Sequence, residues 1–312
     1  MDELPGGIRR LTFPLPMGIR HVHCYLLPGE DGWTLVDTGL GLPDAEERWR
    51  PLLDDLGAPV SRIVVTHFHP DHAGGGEDAQ ALTGASVLQG ALDYEQCELV
   101  WGRDDWSEVL SDYLSANGLP EPLADELRDE SRALRPFIRF ARDPERLSEG
   151  DEVDGWKVLD LPGHADGHIC LLRDGVLVAG DHVLGEITPT VGLYPGSLRA
   201  DPLGDFLESL HRTIELAPEL ALPGHGDPIE DPAGRAREIV EHHRIRLDET
   251  RAALGDEPRN AHEVSLVLFG DDLDASGRRF ALAETLAHLE RLVREDRAAR
   301  TGDDSAVTYT ST

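Results

Sequence analysis

The sequence predicts an α+β fold, and three observations carry that prediction. Short apolar runs end in turns bearing His or Asp: Ile63-Val64-Val65 before His67, Trp156-Lys157-Val158-Leu159 before Gly163-His164, Val176 to Ala179 before Gly180-Asp181, and Glu219-Leu220-Ala221 before Gly224-His225. Helix-spaced stretches lie between these runs, so strands and helices alternate. The chain has 312 residues, 40% of them hydrophobic, enough for a large domain plus a small one.

In chain order, residues 8 to 38 read as two or three strands linked by Pro28-Gly29-Glu30-Asp31-Gly32. A helix is expected over about 43–56, then the strand before His67 and a helix near 74–83. Residues 93–147 break the alternation. Their helical spacing and aromatic anchors, Trp101, Trp106 and Tyr113, suggest an inserted helical segment near the site. Strands return at 151–160, 168–173 and 176–180, and a helix over 203–216 leads to the last His turn. Asp231 to Leu254 reads as one long helix, with Pro232 near its start and Gly255 after its end. Ile239, Ile245 and Leu247 are its expected apolar face, and further helices are expected over 261–270 and 280–297. The expected division is a catalytic domain, 1–230, and a helical C-terminal domain, 231–312.

The chemistry concentrates in His67-Phe68-His69-Pro70-Asp71-His72. His67 and His69, two apart in an extended segment, can point the same way. Pro70 turns the chain, so Asp71 and His72 can face a second point nearby. Imidazole nitrogen with carboxylate oxygen and no thiolate suits zinc, and also iron or manganese.

These residues resemble the signature of the metallo-β-lactamase superfamily over about residues 20 to 230: the HxHxDH segment, then a Gly-His, a Gly-Asp and a Gly-His-Gly in order, with Val36-Asp37-Thr38-Gly39 fitting as well. With the alternation, the resemblance implies a four-layer αββα sandwich. It also implies two divalent metal ions. His67, His69 and His164 would hold one, Asp71, His72 and His225 the other, and Asp181 would bridge them. Asp37 would support the first metal loop from behind. In such a site a water ionised between two cations attacks the substrate, and Asp71 orients it and shuttles its proton. The tail resembles the winged-helix-like C-terminal domain of one branch, with Glu241-His242-His243-Arg244 and Ala281 to Leu289 carrying the likeness.

Other histidines read differently. His168 and His182 are expected to support ligands through hydrogen bonds rather than to bind metal. His21 and His23 alternate with Tyr25 on one strand face, near the pocket mouth. Arg128, Arg132, Arg135, Arg139, Arg142 and Arg146 recur in steps of four and three, a stripe that Pro136 would interrupt. Arg135, Arg139 and Tyr194 are the expected substrate contacts, the arginines for an anionic group.

Composition narrows the function. The chain holds 29 basic and 60 acidic residues, a formal net charge of −31, and Lys157 is its only lysine. A polyanion would be repelled unless a local basic patch overrode that field, which disfavours nucleic acid. Three scattered cysteines form no spacing motif, and the N-terminus carries no apolar run of membrane-span length. The expectation is a cytoplasmic hydrolase of small-molecule esters, thioesters or lactones, with no membrane partner and a homodimer left open. An endoribonuclease and a β-lactamase-like amide hydrolase are the rival readings. A di-iron oxidoreductase would need a flavodoxin-like partner domain, for which residues 230–312 are too short.

Overall fold

The structure, a computed structural model, describes residues 1–312 apart from positions 17, 19, 256, 304 and 305. Seven strands form one sheet in chain order: β1 (Asp2–Glu3), β2 (Arg9–Pro14), β3 (His21–Gly29), β4 (Gly32–Val36), β5 (Val60–Val65), β6 (Ser86–Gly90) and β7 (Glu145–Leu147). Five more, β8 (Glu152–Val153), β9 (Trp156–Asp160), β10 (Ile169–Arg173), β11 (Val176–Gly180) and β12 (Leu220–Pro223), form a second sheet in the order β12-β11-β10-β9-β8.

Side-chain alternation decides the layering. On β3, Tyr25 and Leu27 face one core while Cys24 and Leu26 face another; on β5, Val64 faces the first and Ile63 and Val65 the second. The first core is the space between the sheets, because Val158, Ile169, Leu171 and Val178 of the second sheet enter it. The second core is roofed by α1 (Ala45–Asp54), α2 (Pro70–Ala73), α3 (Gly76–Thr83) and α4 (Ala91–Val100), whose Trp49, Ala79 and Tyr94 join it. The outer face of the second sheet carries Leu159, Cys170, Leu177 and Ala179. The helix after β11 crosses that sheet's end, where its Ser209 hydroxyl donates to the Pro162 carbonyl at 2.8 Å. Helix, sheet, sheet, helix is the αββα order, and the expected sandwich is observed.

The inserted segment forms α4, α5 (Trp106–Ala116) and α6 (Glu121–Leu134), then a 3-10 turn over Arg135–Phe137. It differs from the expectation at its end, where Glu145–Leu147 returns to the first sheet as β7 beside β6. The turn at Pro136 breaks the arginine stripe, as a ring without an N–H should.

Aspartate caps start the later helices: Asp201 accepts from Gly204 N–H ahead of α7 (Pro202–Leu216), and Asp231 from Gly234 N–H ahead of α8 (Pro232–Leu254). Asn260 and Glu263 form a capping box on α9 (Ala261–Phe269). The last helix, α10 (Ala275–Arg294), begins at Ala275 rather than Phe280, because Asp274 caps it through Gly277 N–H. The tail after α10 pairs as an antiparallel hairpin of β13 (Ala298–Asp303) and β14 (Ala306–Ser311). Ile239 and Leu247 of α8 are buried, but Ile245 is 44% exposed and does not belong to the packed face. Among the described residues, no helix is long and apolar enough to cross a membrane.

Candidate metal centre

Strand direction brings the candidate ligands to one edge. β4 runs parallel to β5 and β11 parallel to β12, while β9 and β11 both pair antiparallel with β10. The turns after β5, β9, β11 and β12 therefore open on the same side, and they carry His67, His164, Asp181 and His225. After β5 the chain makes one helical turn, α2, with Pro70 at its first position; His72 N–H donates to His69 O at 3.0 Å and seats Asp71 and His72 beside the edge.

Three imidazoles share one arrangement. His72 donates through Nδ1 to Asp37 Oδ2 at 2.8 Å, His164 through Nδ1 to Thr190 O at 2.8 Å, and His225 through Nδ1 to His21 O at 2.6 Å. Each bond fixes the ring and turns its Nε2 inward. Asp181 lies where these nitrogens meet: its carboxylate oxygens are 3.5 Å from His72 Nε2, 3.6 Å from His164 Nε2 and 3.3 Å from His225 Nε2. Asp71 Oδ2 is 3.3 Å from His225 Nε2 and 3.8 Å from His72 Nε2. His67 Nε2 lies 3.0 Å from His69 Nδ1. The donor atoms of His67, His69 and His164 fall within 4.8 Å of one another, as do those of His67, His72 and Asp181 and those of Asp71, His72 and His225. All seven residues named from sequence thus converge.

The backbone leaves room only for these groups. A Cβ on Gly224 would sit 2.5 Å from Asp181 Oδ1 and 2.6 Å from His72 Cε1, so no side chain fits there. Gly180 takes φ +49°, and a Cβ on it would come 2.8 Å from His168 Nε2.

Electrostatics follow from burial and facing charge. Burial lowers the pKa of His67, His69 and His164. At His72 burial acts the same way, but Asp181, Asp37 and Asp71 outweigh it and the pKa rises. His225 is raised to about 10 because Asp181 and Asp71 overcome the burial. Burial alone would raise Asp181, yet His225 and His72 hold it well below the carboxylate range. In the metal-free chain these acids keep protons on nitrogens that a cation would otherwise occupy.

The residues expected to support the ligands lie beside the cluster. Asp37, at φ +62°, accepts from Thr66 N–H at 2.8 Å and Thr66 Oγ1–H at 2.9 Å besides holding His72. His168 Nε2 accepts from Asp181 N–H at 3.1 Å. His182 turns away to Thr213 Oγ1 at 2.7 Å, and burial pushes its pKa to about 3. Arg135 bonds the Arg103 carbonyl and Asp104, and Arg139 bonds Asp78, so both guanidinium groups are held by protein partners. Tyr194 lies four residues beyond Thr190, on the segment whose carbonyl holds His164.

Sequence reasoning missed a clamp. From alternate positions on β3, Tyr25 OH donates to Pro223 O at 2.6 Å, His23 Nε2 to Gly226 O at 2.9 Å, and His21 Nε2 accepts from Gly226 N–H at 3.2 Å. The loop that presents His225 is thereby locked to β3. Asp93 was missed as well: it accepts from Phe68 N–H at 2.9 Å, while Trp101 Nε1 donates to Phe68 O at 2.8 Å. The period-2 pattern of His21, His23 and Tyr25 was the available signal for the clamp; nothing local in sequence flags Asp93.

Comparison with known proteins agrees with this geometry. The model of the metallo-beta-lactamase superfamily matches residues 17–225, and that of a metallo-beta-lactamase-like C-terminal domain matches 247–312. A Bacillus subtilis protein named "Probable metallo-hydrolase YqjP" is 28% identical over 303 residues, 92% of each chain. A beta-lactamase domain protein from Burkholderia ambifaria superposes with TM-score 0.88 at 32% identity, covering 100% of this chain and 94% of that one. A metallo-beta-lactamase family protein from Thermus thermophilus gives TM-score 0.84 at 36% identity, with 99% of each chain covered. The chain belongs to the metallo-β-lactamase superfamily and is a metal-dependent hydrolase.

Proposed function

We propose that this protein is a binuclear hydrolase that cleaves an ester, thioester or lactone of a small molecule. One observation carries the reading. Among the described residues, His72 Nε2, His164 Nε2, His225 Nε2 and Asp181 Oδ1 are buried and have no hydrogen-bond partner, and all four point at the same place. Each unsatisfied buried polar atom costs about 1–3 kcal/mol, and bound cations would satisfy all of them. His67, His69 and His164 would hold one divalent ion, Asp71, His72 and His225 a second, with Asp181 touching both. The nitrogen and oxygen donors fit zinc, and iron or manganese also fit. The cysteines lie buried elsewhere as free thiols. When bound, such a pair lowers the pKa of water and polarises a carbonyl.

The chain's own groups do the positioning. Asp71 is the more accessible acid, with its side chain 17% exposed against 7% for Asp181. That exposure suits it to orient the attacking water and accept its proton. Asp37 fixes the tautomer of His72, and His168 holds the backbone of Asp181. Residues 231–312, three helices and a hairpin, fit a winged-helix-like unit that walls the site; α8 and α10 join the same core cluster as α4 and α5. Buried free thiols suit a reducing, cytoplasmic setting.

The test is a panel of p-nitrophenyl esters, acyl-CoAs, lactones, nitrocefin and short RNA. Turnover in the ester, thioester or lactone group, abolished by chelator and restored by zinc, iron or manganese, is the expected result. Cleavage of RNA with no turnover in that group would replace this reading with the endoribonuclease.

A further inference from the structure

A second set of polar side chains lies beside α10. The segment that leaves Thr190 runs onto this helix, where Leu193 N–H donates to Ala283 O at 3.0 Å. A Cβ on Gly192 would lie 2.6 Å from Tyr194 Cε2 and 3.0 Å from Ala283 Cβ, so the Tyr194 ring folds back over Gly192 at that helix. Arg279 stands one turn before Ala283 on the same face, and Glu284 follows it. α8 brings Arg246 alongside, the two helices being joined by a 3.2 Å contact between His243 Nδ1 and His288 Nε2.

These groups are unusually idle. Tyr194, Arg279 and Glu284 are half-buried, and among the described residues their side chains make no hydrogen bond or ion pair. Among the described residues the Nε atoms of Arg279 and Arg246 are buried without a hydrogen-bond partner, while Arg246 Nη1 pairs with Glu249 at 3.1 Å. Phe280 lies under the Arg279 guanidinium at 4.3 Å and Phe269 under that of Arg246 at 4.8 Å, which holds both planes in place. Burial pushes Glu284 up to about 7, with Arg246 opposing, so near neutral pH its carboxyl can donate. A phenol, two guanidinium groups and a carboxylic acid are all donors. Glu249 pairs with Arg246 and Glu130 faces Arg279, so the Tyr194 hydroxyl and the Arg279 guanidinium are the donors free to meet an anion.

We infer that Tyr194 and Arg279, with Arg246 and Glu284 beside them, form a subsite for an anionic group, carboxylate or phosphate, carried by the small-molecule substrate away from its scissile bond. Thr190 holds His164 and lies four residues before Tyr194, so the Cα atoms of Thr190 and Tyr194 are no more than about 14 Å apart and one short segment links the subsite to a residue that positions His164. The anion-gripping role expected for Arg135 and Arg139 moves to this patch. Its part in turnover rests on the hydrolase reading above, but binding of the anion does not.

The test uses the full-length protein and two probes, succinate and inorganic phosphate, titrated calorimetrically. One probe should bind, which separates a carboxylate from a phosphate site. Arg279→Gln should weaken that binding at least tenfold and Tyr194→Phe about threefold or more. Arg237→Gln, the same charge change at an exposed position of α8, should weaken it less than twofold. In turnover, Arg279→Gln should lower kcat/KM for mono-p-nitrophenyl adipate at least tenfold more than for p-nitrophenyl hexanoate. Binding of neither probe, equal weakening by Arg237→Gln, or equal losses on both esters would overturn the subsite. If a probe binds through Arg279 and no ester is turned over, the hydrolase reading fails and the subsite stands.

Discussion

Histidines gather at the sheet edge and again where α8 meets α10, and two of the edge rings, His72 and His225, are treated in the opposite way to the helical pair. At the edge, Asp37, Asp71 and Asp181 face the rings, His72 is raised and His225 reaches about 10. Between the helices, burial leaves His243 near 2 and His288 near 4, and none of the causes at either site is a carboxylate. There His243 meets His288 ring to ring and stands edge-on to Phe206, its centroid 5.6 Å away. Both clusters are buried, and His243 Nε2 is without a partner just as His72 Nε2 is. The difference lies in the acids. Carboxylates convert buried imidazoles into a cation site, whereas without them the same side chain serves as a polar piece of core.

The largest effect should come from breaking that company at the edge. Asp181→Asn keeps the size and removes the charge, and the activity of the purified enzyme should fall by roughly 10³-fold or more. His243→Phe, at the other cluster, should keep turnover within about threefold while lowering the melting temperature, since it costs packing and one hydrogen bond. Comparable activity losses in both variants would erase the distinction.

The clamp on the His225 loop comes next. His23→Phe removes the bond to Gly226 O and should weaken one of the two metal sites about 10–100-fold, leaving the other near its original affinity. Competition against a chelator, followed as two dissociation steps, reads this directly. Equal weakening of both steps would show that the loop does not act on its own metal.

Acid should expose the helical cluster. For His288 the folded pKa, about 4, lies below the unfolded value near 6.5, so the unfolded chain binds the extra proton first. Stability from this group is present above pH 6.5 and is lost as pH falls through about 4, on the order of 3 kcal/mol. For His225 at the edge the sign reverses. In the chelated protein His225 contributes below pH 6.5 and that contribution is lost as pH rises through about 10. Urea melts of chelated protein should therefore weaken between pH 6.5 and 4, with a shallower slope in His288→Leu; an unchanged slope removes His288 as the cause.

Much of the candidate site was legible in sequence because four of its residues follow apolar runs, and a strand end fixes direction as well as position. His67, His164, Asp181 and His225 needed no knowledge of packing. Their partners did: the Thr190 and His21 carbonyls are backbone atoms brought in by tertiary folding, and backbone acceptors leave no mark on residue type. The start of α10 was misjudged for a physical reason. Arg278 looks like a surface residue, yet it is only 1% exposed, bonded to Ser265 and Gly270 O, so a buried turn was spelled with a charged letter. The hairpin that ends the chain pairs Thr, Gly and Asp along an exposed edge, with Val307 and Tyr309 as its buried contacts, too weak an alternation to stand out.

The smallest expected effects concern the arginines of the insertion. Arg135 and Arg139 are paired with Asp104 and Asp78 near the surface, where such pairs contribute about 0–1 kcal/mol. Arg135→Gln with Arg139→Gln should change KM for anionic and neutral esters alike by less than about twofold. A selective rise for the anionic ester would return the anion-binding role to the insertion.

The claim that the edge cluster holds two cations bridged by Asp181 is tested most directly by counting metal per chain in the purified protein and two variants. The account predicts two in the wild type, two in His243→Phe and no more than one in Asp181→Asn. An Asp181→Asn protein that still holds two metals per chain and turns over normally would contradict it.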